Sequence, residues 1–165
     1  AAALARHSDR LRVVATDGSP AALDVARANL RRHGLAERVR LLAGDLLRPL
    51  AGPIDLVVAN LPYVPGAELE GLMPEVSRHE PALALDGGAD GLRLIRRLLA
   101  EAPGRLRGGG AILLEIGAGQ AEAVRGLARR LCPRGRVAVH RDLAGLERVL
   151  MIEAPACRAR ERQAA

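Results

Sequence analysis

Three polar residues stand at or next to the ends of short apolar runs, which makes them the first candidates for a binding site. They are Asp17 after residues 11–16, Asp45 one residue beyond residues 39–43, and Asn60 after residues 54–59. If the runs are parallel strands, their carboxyl ends lie at the edge of the sheet where open α/β sheets bind ligands. A carboxylate there can accept hydrogen bonds from both hydroxyls of a ribose. The alternative for Asp17 is that it only begins the turn Asp-Gly-Ser-Pro, a role that aspartate fills well.

The sequence Asn-Leu-Pro-Tyr at residues 60–63 is the most informative short motif of the chain. Pro62 restricts Leu61 to extended geometry and stiffens the turn. A stiff turn can direct the side-chain oxygen of Asn60 and the backbone carbonyl of Leu61 toward one point, and two convergent acceptors suit a planar NH2 group. Tyr63 would supply a flat wall against that group. The alternative is an ordinary Asn-x-Pro strand end in which Tyr63 only packs.

The elements that must position these residues alternate between strand and helix patterns. Runs rich in Leu and β-branched residues, typical of strands buried on both faces, occur at residues 11–16, 39–43, 54–59 and 111–116. A helix is predicted after Ser19, which can cap it, with Gly34 at its end. Further helices are predicted from about Asp90 to Pro103 and after Gly119.

Two more strand-like runs, at residues 136–140 and 148–153, close the pattern. They are separated by only seven residues, which is too short for a helical crossover, so we expect an antiparallel pair. Alternating strands and helices followed by such a hairpin predict an α/β open sheet that is mostly parallel. Residues 1–155 are predicted to form one domain, and residues 156–165, charged and without pattern, a disordered tail.

The composition excludes several classes of protein. No apolar run approaches the roughly 20 residues that span a bilayer, so a membrane protein is not expected. The two cysteines have no spacing typical of a zinc or redox site, which favours a reducing cytoplasm and no metal. The net charge of +6 is compatible with a nucleic-acid partner. All basic residues are arginine and are spread along the chain, however, which is typical of the codon bias of a GC-rich genome.

The motif at residues 60–63 resembles motif IV of the amino-group methyltransferases, usually written [Asn/Asp/Ser]-Pro-Pro-[Tyr/Phe/Trp]. Over nearly the whole chain the sequence is similar to the HemK (PrmC) family, the glutamine-N5 methyltransferases of peptide chain release factors. VVATDGSPAALDVARANLRRHGL resembles that family's ribose-binding strand and following helix, and GDLLRPL its adenine-side loop. The segment HEPALALDGGADGL, within residues 78–103, is distinctive of this family, and LLEIGAGQ and RDLAGLERVL resemble its late strands.

The resemblance implies a Rossmann-like methyltransferase fold, S-adenosyl-L-methionine as cofactor, a release factor as protein partner and a monomeric enzyme. Asp17 would bind the ribose hydroxyls of the cofactor, and Asp45 with Leu46 would border the adenine. Asn60 would lie between the cofactor and the substrate amide.

For the substrate, the resemblance implies that the Asn60 side-chain oxygen and the Leu61 carbonyl accept the protons of the glutamine amide. The glutamine side chain would lie against Pro62 and Tyr63. No His or Glu stands beside Asn60 in the sequence; His79 and Glu80 could lie near it in space, but a lone loop histidine is more often solvated.

Two departures from the family keep alternatives open. Leu61 stands where this family usually has proline, and Asn-Leu-Pro-Tyr is also familiar from ribosomal RNA adenine dimethyltransferases, so methylation of an adenine N6 in RNA is the second hypothesis. The family's first strand and glycine-rich loop have no counterpart in the sequence, which leaves a gap or an exposed edge in the expected sheet. An inactive methyltransferase fragment is therefore the third hypothesis. The run EIGAGQAE lacks the third glycine of a cofactor loop, and Gln120 and Glu122 are interpreted as ordinary helix-start residues.

Overall fold

The computed structural model describes residues 1–71 and 81–156. The helices and strands of these residues are, in chain order, α1 (Ala2–His7), β1 (Val13–Asp17), α2 (Pro20–Arg32), β2 (Val39–Ala43), β3 (Ile54–Asn60), α3 (Ala82–Leu85), α4 (Arg93–Glu101), β4 (Leu106–Glu115), α5 (Ala121–Leu131), β5 (Arg136–Arg141) and β6 (Glu147–Glu153). Short 3-10 helices occur at Gly66–Gly71 and Ala102–Gly104. None of the described helices is long and apolar enough to cross a membrane.

The strands form two sheets. In the first, β1 and β2 are parallel; in the second, the order is β3-β4-β6-β5, with β3 and β4 parallel and β6 antiparallel to both of its neighbours. The prediction of an α/β sheet with a C-terminal antiparallel hairpin is confirmed. The chain divides into two compact units, Ala1–Ala51 and Gly52–Ala165, which are described separately below.

The local signals of the sequence act where they were expected. The Ser19 hydroxyl accepts a hydrogen bond from the Ala22 amide at 3.3 Å, so Ser19 caps α2. Gly34 follows this helix with a φ of +66°, a conformation that glycine adopts without strain. Pro103 lies in the 3-10 turn that follows α4, as its missing N–H requires.

In the first unit, α1 and α2 pack on the small parallel sheet. The buried centre of this packing consists of Ala5, Leu30, Leu35 and Val39. Partly buried side chains from β1 and β2 complete it, among them Val13 and Leu41. The helix at the start of the chain is therefore anchored by apolar burial of Ala5, which is fully inaccessible to solvent.

In the second unit, α4 and α5 supply apolar side chains to the core of the four-stranded sheet. The largest fully buried side chains of the described residues are Ile95, Leu98, Leu99, Ile112, Leu114, Ile116, Leu150, Ile152 and Val124. In the second half of β4 and the residue after it, every second side chain is buried (Ile112, Leu114 and Ile116), as strand geometry requires. This strand pairs on both sides, with β3 and with β6, and is therefore an inner strand of the sheet.

The prediction that all four early strands are buried on both faces is wrong for β1 and β3. Val14 on β1 is 44% exposed, and Leu56 and Val58 on β3 are 41% and 54% exposed. The physical reason is that the faces of a strand are buried only where other elements pack over them, and a run of apolar residues does not encode that packing. Helix α4 also begins later than predicted, at Arg93, because Ala89 and Asp90 form a turn and Gly91 a bend.

Candidate functional site

The Asn-Leu-Pro-Tyr turn leaves the carboxyl end of β3. Asn60 is the last residue of the strand, paired in register with Glu115 of β4, and it is exposed. Leu61, Pro62 and Tyr63 are each partly buried. Within residues 1–71 and 81–156, neither the Asn60 side-chain amide nor the Leu61 carbonyl takes part in a hydrogen bond. The two acceptors that the sequence singled out are thus unused by the described part of the protein.

The family-distinctive segment lies directly beside this turn. The Val64 amide donates to the Leu85 carbonyl at 3.0 Å, and the Gly87 amide donates back to the Val64 carbonyl at 2.9 Å. Val64 and Asp86 form an isolated parallel β-bridge. The Gly66 amide donates to the Gly88 carbonyl at 2.9 Å. Residues 85–88 therefore act as a short strand that holds the outgoing end of the turn.

Side-chain contacts stiffen the segment that follows. The Asp86 carboxylate accepts from the Gly88 amide at 2.7 Å and from the Arg93 guanidinium at 3.1 Å. Arg96 donates to Asp90 at 2.7 Å, and this hydrogen bond is the main reason why the pKa of Asp90 lies below its ordinary value of 3.8. Each exposed pair contributes little stability by itself, but together they define the course of the loop between the turn and α4.

Gln120 is a residue whose role the sequence interpretation missed. It precedes α5, and its position in the sequence predicts an ordinary helix-start residue, but its side chain makes no capping hydrogen bond to the helix. The side chain reaches instead to the backbone carbonyl of Tyr63, 57 positions earlier in the chain. Nothing in the local pattern indicates a contact of that sequence separation; the local signal is Gly117, where an added Cβ would lie 2.9 Å from Oε1 of Gln120.

In the first unit, Asp17 stabilises the Asp-Gly-Ser-Pro turn, which is the alternative role considered for it above. Its carboxylate can still accept a further hydrogen bond. Its Oδ1 atom accepts a hydrogen bond from the Ser19 amide at 2.8 Å, which fixes the turn into α2. Asp17 ends β1 and is exposed, and its second carboxylate oxygen has no hydrogen bond to the described residues. One oxygen is thus committed to the fold, and the other is available.

The loop after β2 is tied to the same end of β1. The Gly44 amide donates to the Asp17 carbonyl at 3.0 Å, and the Thr16 hydroxyl donates to the Leu46 carbonyl at 3.1 Å. Leu46 has a φ of +49°, a left-handed conformation that costs a leucine about 1–2 kcal/mol. Strained backbone of this kind is concentrated at functional sites. Asp45, partly buried, lies between these two anchored residues.

The predicted site residues therefore fall into two groups. Asp17, Asp45 and Leu46 come together at the carboxyl ends of β1 and β2 in the first unit, and residues 60–63 form one turn in the second. His79 lies outside the described residues.

Solved structures show which fold this chain has. A methyltransferase from Pyrococcus furiosus matches with a TM-score of 0.66 at 18% identity, covering 92% of this chain and 68% of that one. An O-methyltransferase from Bacillus cereus, solved in complex with SAH, matches with a TM-score of 0.56 at 18% identity. The match covers 93% of this chain and 67% of that one. A family model described as a methyltransferase domain also matches residues 1–80. The fold is that of a Rossmann-like methyltransferase domain.

Curated relatives narrow the class. The release factor glutamine methyltransferase of Moorella thermoacetica is 52% identical over 152 residues, and that of Gloeobacter violaceus is 47% identical over the same length. Each alignment covers 92% of this chain and 53% of the relative, so the chain spans about half the length of these proteins. Over 92% of its length, the chain is similar to release factor glutamine methyltransferases.

Proposed function

We propose that this chain is part of an S-adenosyl-L-methionine-dependent methyltransferase that methylates the side-chain amide nitrogen of a glutamine in a peptide chain release factor. Residues 1–155 would form its catalytic domain, and the reaction would take place in the cytoplasm, where release factors act. The main support is the turn at residues 60–63, whose Asn60 oxygen and Leu61 carbonyl are both unused within the described residues. The relatives at 47–52% identity favour this substrate over RNA.

The residues of the first unit fit an adenosine group. The unused oxygen of Asp17 can accept from a ribose hydroxyl, and the anchored loop at Asp45 and Leu46 offers a backbone edge and a partly buried apolar side chain to a planar base. When bound, S-adenosyl-L-methionine supplies an electrophilic methyl group on a sulfonium, which is a good leaving group. The proposal assigns Asp17, Asp45 and Leu46 to binding, with no part in the chemical step.

The chemical difficulty lies in the nucleophile. The lone pair of an amide nitrogen is delocalised into its carbonyl, so the nitrogen attacks poorly. As the N–CH3 bond forms, positive charge grows on this nitrogen, and acceptors held at its two N–H groups stabilise that charge. The Asn60 side-chain oxygen and the Leu61 carbonyl would be those acceptors. The proposed acceptor at position 61 is the backbone carbonyl. Leucine has this carbonyl just as the family's usual proline does, so the acceptor is retained.

Pro62 and Tyr63 would orient the substrate. The Tyr63 ring stands beside Gly117, where a side-chain Cβ would lie 3.2 Å from its Cδ2 atom, so the ring position depends on a glycine. A ring held in this way offers a flat face to the glutamine side chain. Holding the amide in line with the methyl group supplies much of the acceleration without a base, and the proton can leave to water after transfer.

The test compares the two asparagines of the chain. Asn60→Ala in the full-length protein should lower kcat/KM for methyl incorporation into a release factor by at least about 10²-fold, as loss of one charge-stabilising group typically does. The Kd for S-adenosyl-L-methionine should change little. Asn29→Ala, at an exposed position of α2, is the matched control and should leave both values unchanged.

Full activity of Asn60→Ala would remove the acceptor pair from the proposal. Incorporation into ribosomal RNA in place of the release factor would contradict the substrate. Calorimetric titration of the 165-residue chain with S-adenosyl-L-methionine tests whether these residues alone bind the cofactor, and we expect heat at or below about 1 mM ligand, equivalent to about 4 kcal/mol of binding. No heat at that concentration would mean that this chain is not itself a catalyst.

A further inference from the structure

The side chain of Gln120 forms a bridge between two backbone segments of the second unit. Its Oε1 atom accepts a hydrogen bond from the Gly117 amide at 2.9 Å, and its Nε2 atom donates to the Tyr63 carbonyl at 2.8 Å. The Gln120 amide also donates to the Gly117 carbonyl at 3.1 Å. The bridge joins the carboxyl end of β4 to the Asn-Leu-Pro-Tyr turn.

The chemistry of the two partners requires a primary amide at this position. A backbone N–H can be met only by an acceptor, and a backbone carbonyl only by a donor, so the orientation of the amide is determined. Glutamate has the same length and would still accept from Gly117. It would, however, place a carboxylate oxygen against the Tyr63 carbonyl, where two acceptors repel each other.

Two glycines leave the space that the Gln120 side chain occupies. A Cβ on Gly117 would lie 2.9 Å from Oε1 of Gln120, and a Cβ on Gly91 would lie 2.6 Å from Nε2 and collide with the Tyr63 carbonyl oxygen. Gly91 is buried and has a φ of +72°. The bridge therefore depends on space left by two glycines, Gly91 in the loop before α4 and Gly117 after the end of β4.

The peptide group between Tyr63 and Val64 is held at both of its polar atoms. Its carbonyl oxygen accepts from Gln120, and its N–H donates to the Leu85 carbonyl at 3.0 Å. The other end of the turn is held by the pairing of Asn60 with β4. Between these two anchors only Leu61 and Pro62 remain, and proline restricts both.

We propose that Gln120 is a positioning residue for methyl transfer: it fixes the peptide after Tyr63 and thereby orients the Asn60 and Leu61 acceptors and the Tyr63 ring toward the substrate amide. The inference rests on the proposed function of the same turn. Gln120 acts through the turn, so the loss of its bridge should change the chemical step more than cofactor binding.

Tyr63 is the only aromatic residue of the chain, so its fluorescence reports on this turn alone. In the 165-residue chain, Gln120→Glu should raise the acrylamide quenching constant of Tyr63 at least about twofold, because the untied turn opens locally. Ala123→Glu adds the same charge at an exposed position in the first turn of α5 and should leave the quenching unchanged. Equal quenching in wild type and Gln120→Glu would overturn the inference.

Amide hydrogen exchange of the unmutated chain tests the bridge even if the variant fails to fold. The Gly117 amide and one side-chain NH2 proton of Gln120 should exchange slowly, whereas exchange as fast as in exposed loops would overturn the bridge.

In the full-length protein, Gln120→Glu should lower kcat for release factor methylation about tenfold or more and change the cofactor KM less than about twofold. Unchanged kcat would contradict the positioning role while leaving the proposed function intact. A wild-type protein without methyl transfer would instead contradict the proposed function, and the fluorescence and exchange results would still decide whether the bridge exists.

Discussion

The substitution Gly91→Ala probes the packing around the Asn-Leu-Pro-Tyr turn most directly. Gly91 has a φ of +72°, and a Cβ at this position would collide with the backbone carbonyl of Tyr63 and lie 2.6 Å from Nε2 of Gln120. The carbonyl oxygen belongs to the backbone and is held by neighbouring hydrogen bonds, so it cannot rotate away as a flexible side chain can. The new methyl group must displace the turn or the Gln120 amide.

The size of the effect follows from two contributions. A left-handed φ costs an alanine about 1–2 kcal/mol. Displacement of the Gln120 amide leaves partly buried polar groups without a partner, which adds about 1–3 kcal/mol. We therefore expect Gly91→Ala to lower the free energy of unfolding by about 2–5 kcal/mol in total, from these two contributions together.

Gly145→Ala separates the two contributions. Gly145 lies in the turn between β5 and β6, has a φ of +81°, and has no atom within 4 Å of an added Cβ. This control therefore carries the conformational cost of about 1–2 kcal/mol without the collision. The difference between the two variants, about 1–3 kcal/mol, isolates the packing around Tyr63 and Gln120.

Urea unfolding followed by far-ultraviolet circular dichroism gives both free energies of unfolding, and Tyr63 fluorescence gives the local response. Acrylamide quenching of Tyr63 should rise in Gly91→Ala and stay unchanged in Gly145→Ala. If the two variants lose the same stability to within about 0.5 kcal/mol, and Tyr63 quenching is the same in both, the described contact between the loop and the turn does not matter energetically.

Two further predictions concern other parts of the chain. Thr16→Val removes the hydroxyl that donates to the Leu46 carbonyl and should lower the free energy of unfolding by about 1 kcal/mol in urea titrations, whereas unchanged stability would show that this bond does not anchor the loop. Burial raises the pKa of the Cys132 thiol, so at a given pH the folded protein holds less thiolate than the unfolded chain. In a Cys157→Ser background, the rate of reaction with a disulfide reagent should therefore reach its midpoint at higher pH in the folded protein than in urea, and coincident midpoints would contradict burial as the cause.

Elements that depend on local interactions could be predicted from the sequence. Ser19 caps α2 through an amide three residues away, and the connection between β5 and β6 is too short for anything but an antiparallel pair. The Asn-Leu-Pro-Tyr turn belongs to the same group, because proline restricts the residue before it wherever the turn lies. These predictions succeed because their causes lie within a few residues of each other.

Exposure of the strands could not be predicted in the same way. The apolar residues of β3 are typical of a strand covered on both faces, yet Leu56 and Val58 are substantially exposed. The apolar composition of a strand shows that its side chains can be buried. Whether they are buried depends on which other elements pack against the strand. That is a property of the whole arrangement of packed elements.

The sequence by itself determined the alternation of strands and helices, the C-terminal hairpin, and the residues 60–63 as a stiff turn with two candidate acceptors. Only the tertiary structure decided what holds that turn in place. The Val64 bridge to residues 85–88 and the hydrogen bond from Gln120, 57 positions from Tyr63, join segments far apart in the chain. Such contacts form because the packed core brings β3, β4 and the loop before α4 together, and no local propensity encodes that proximity.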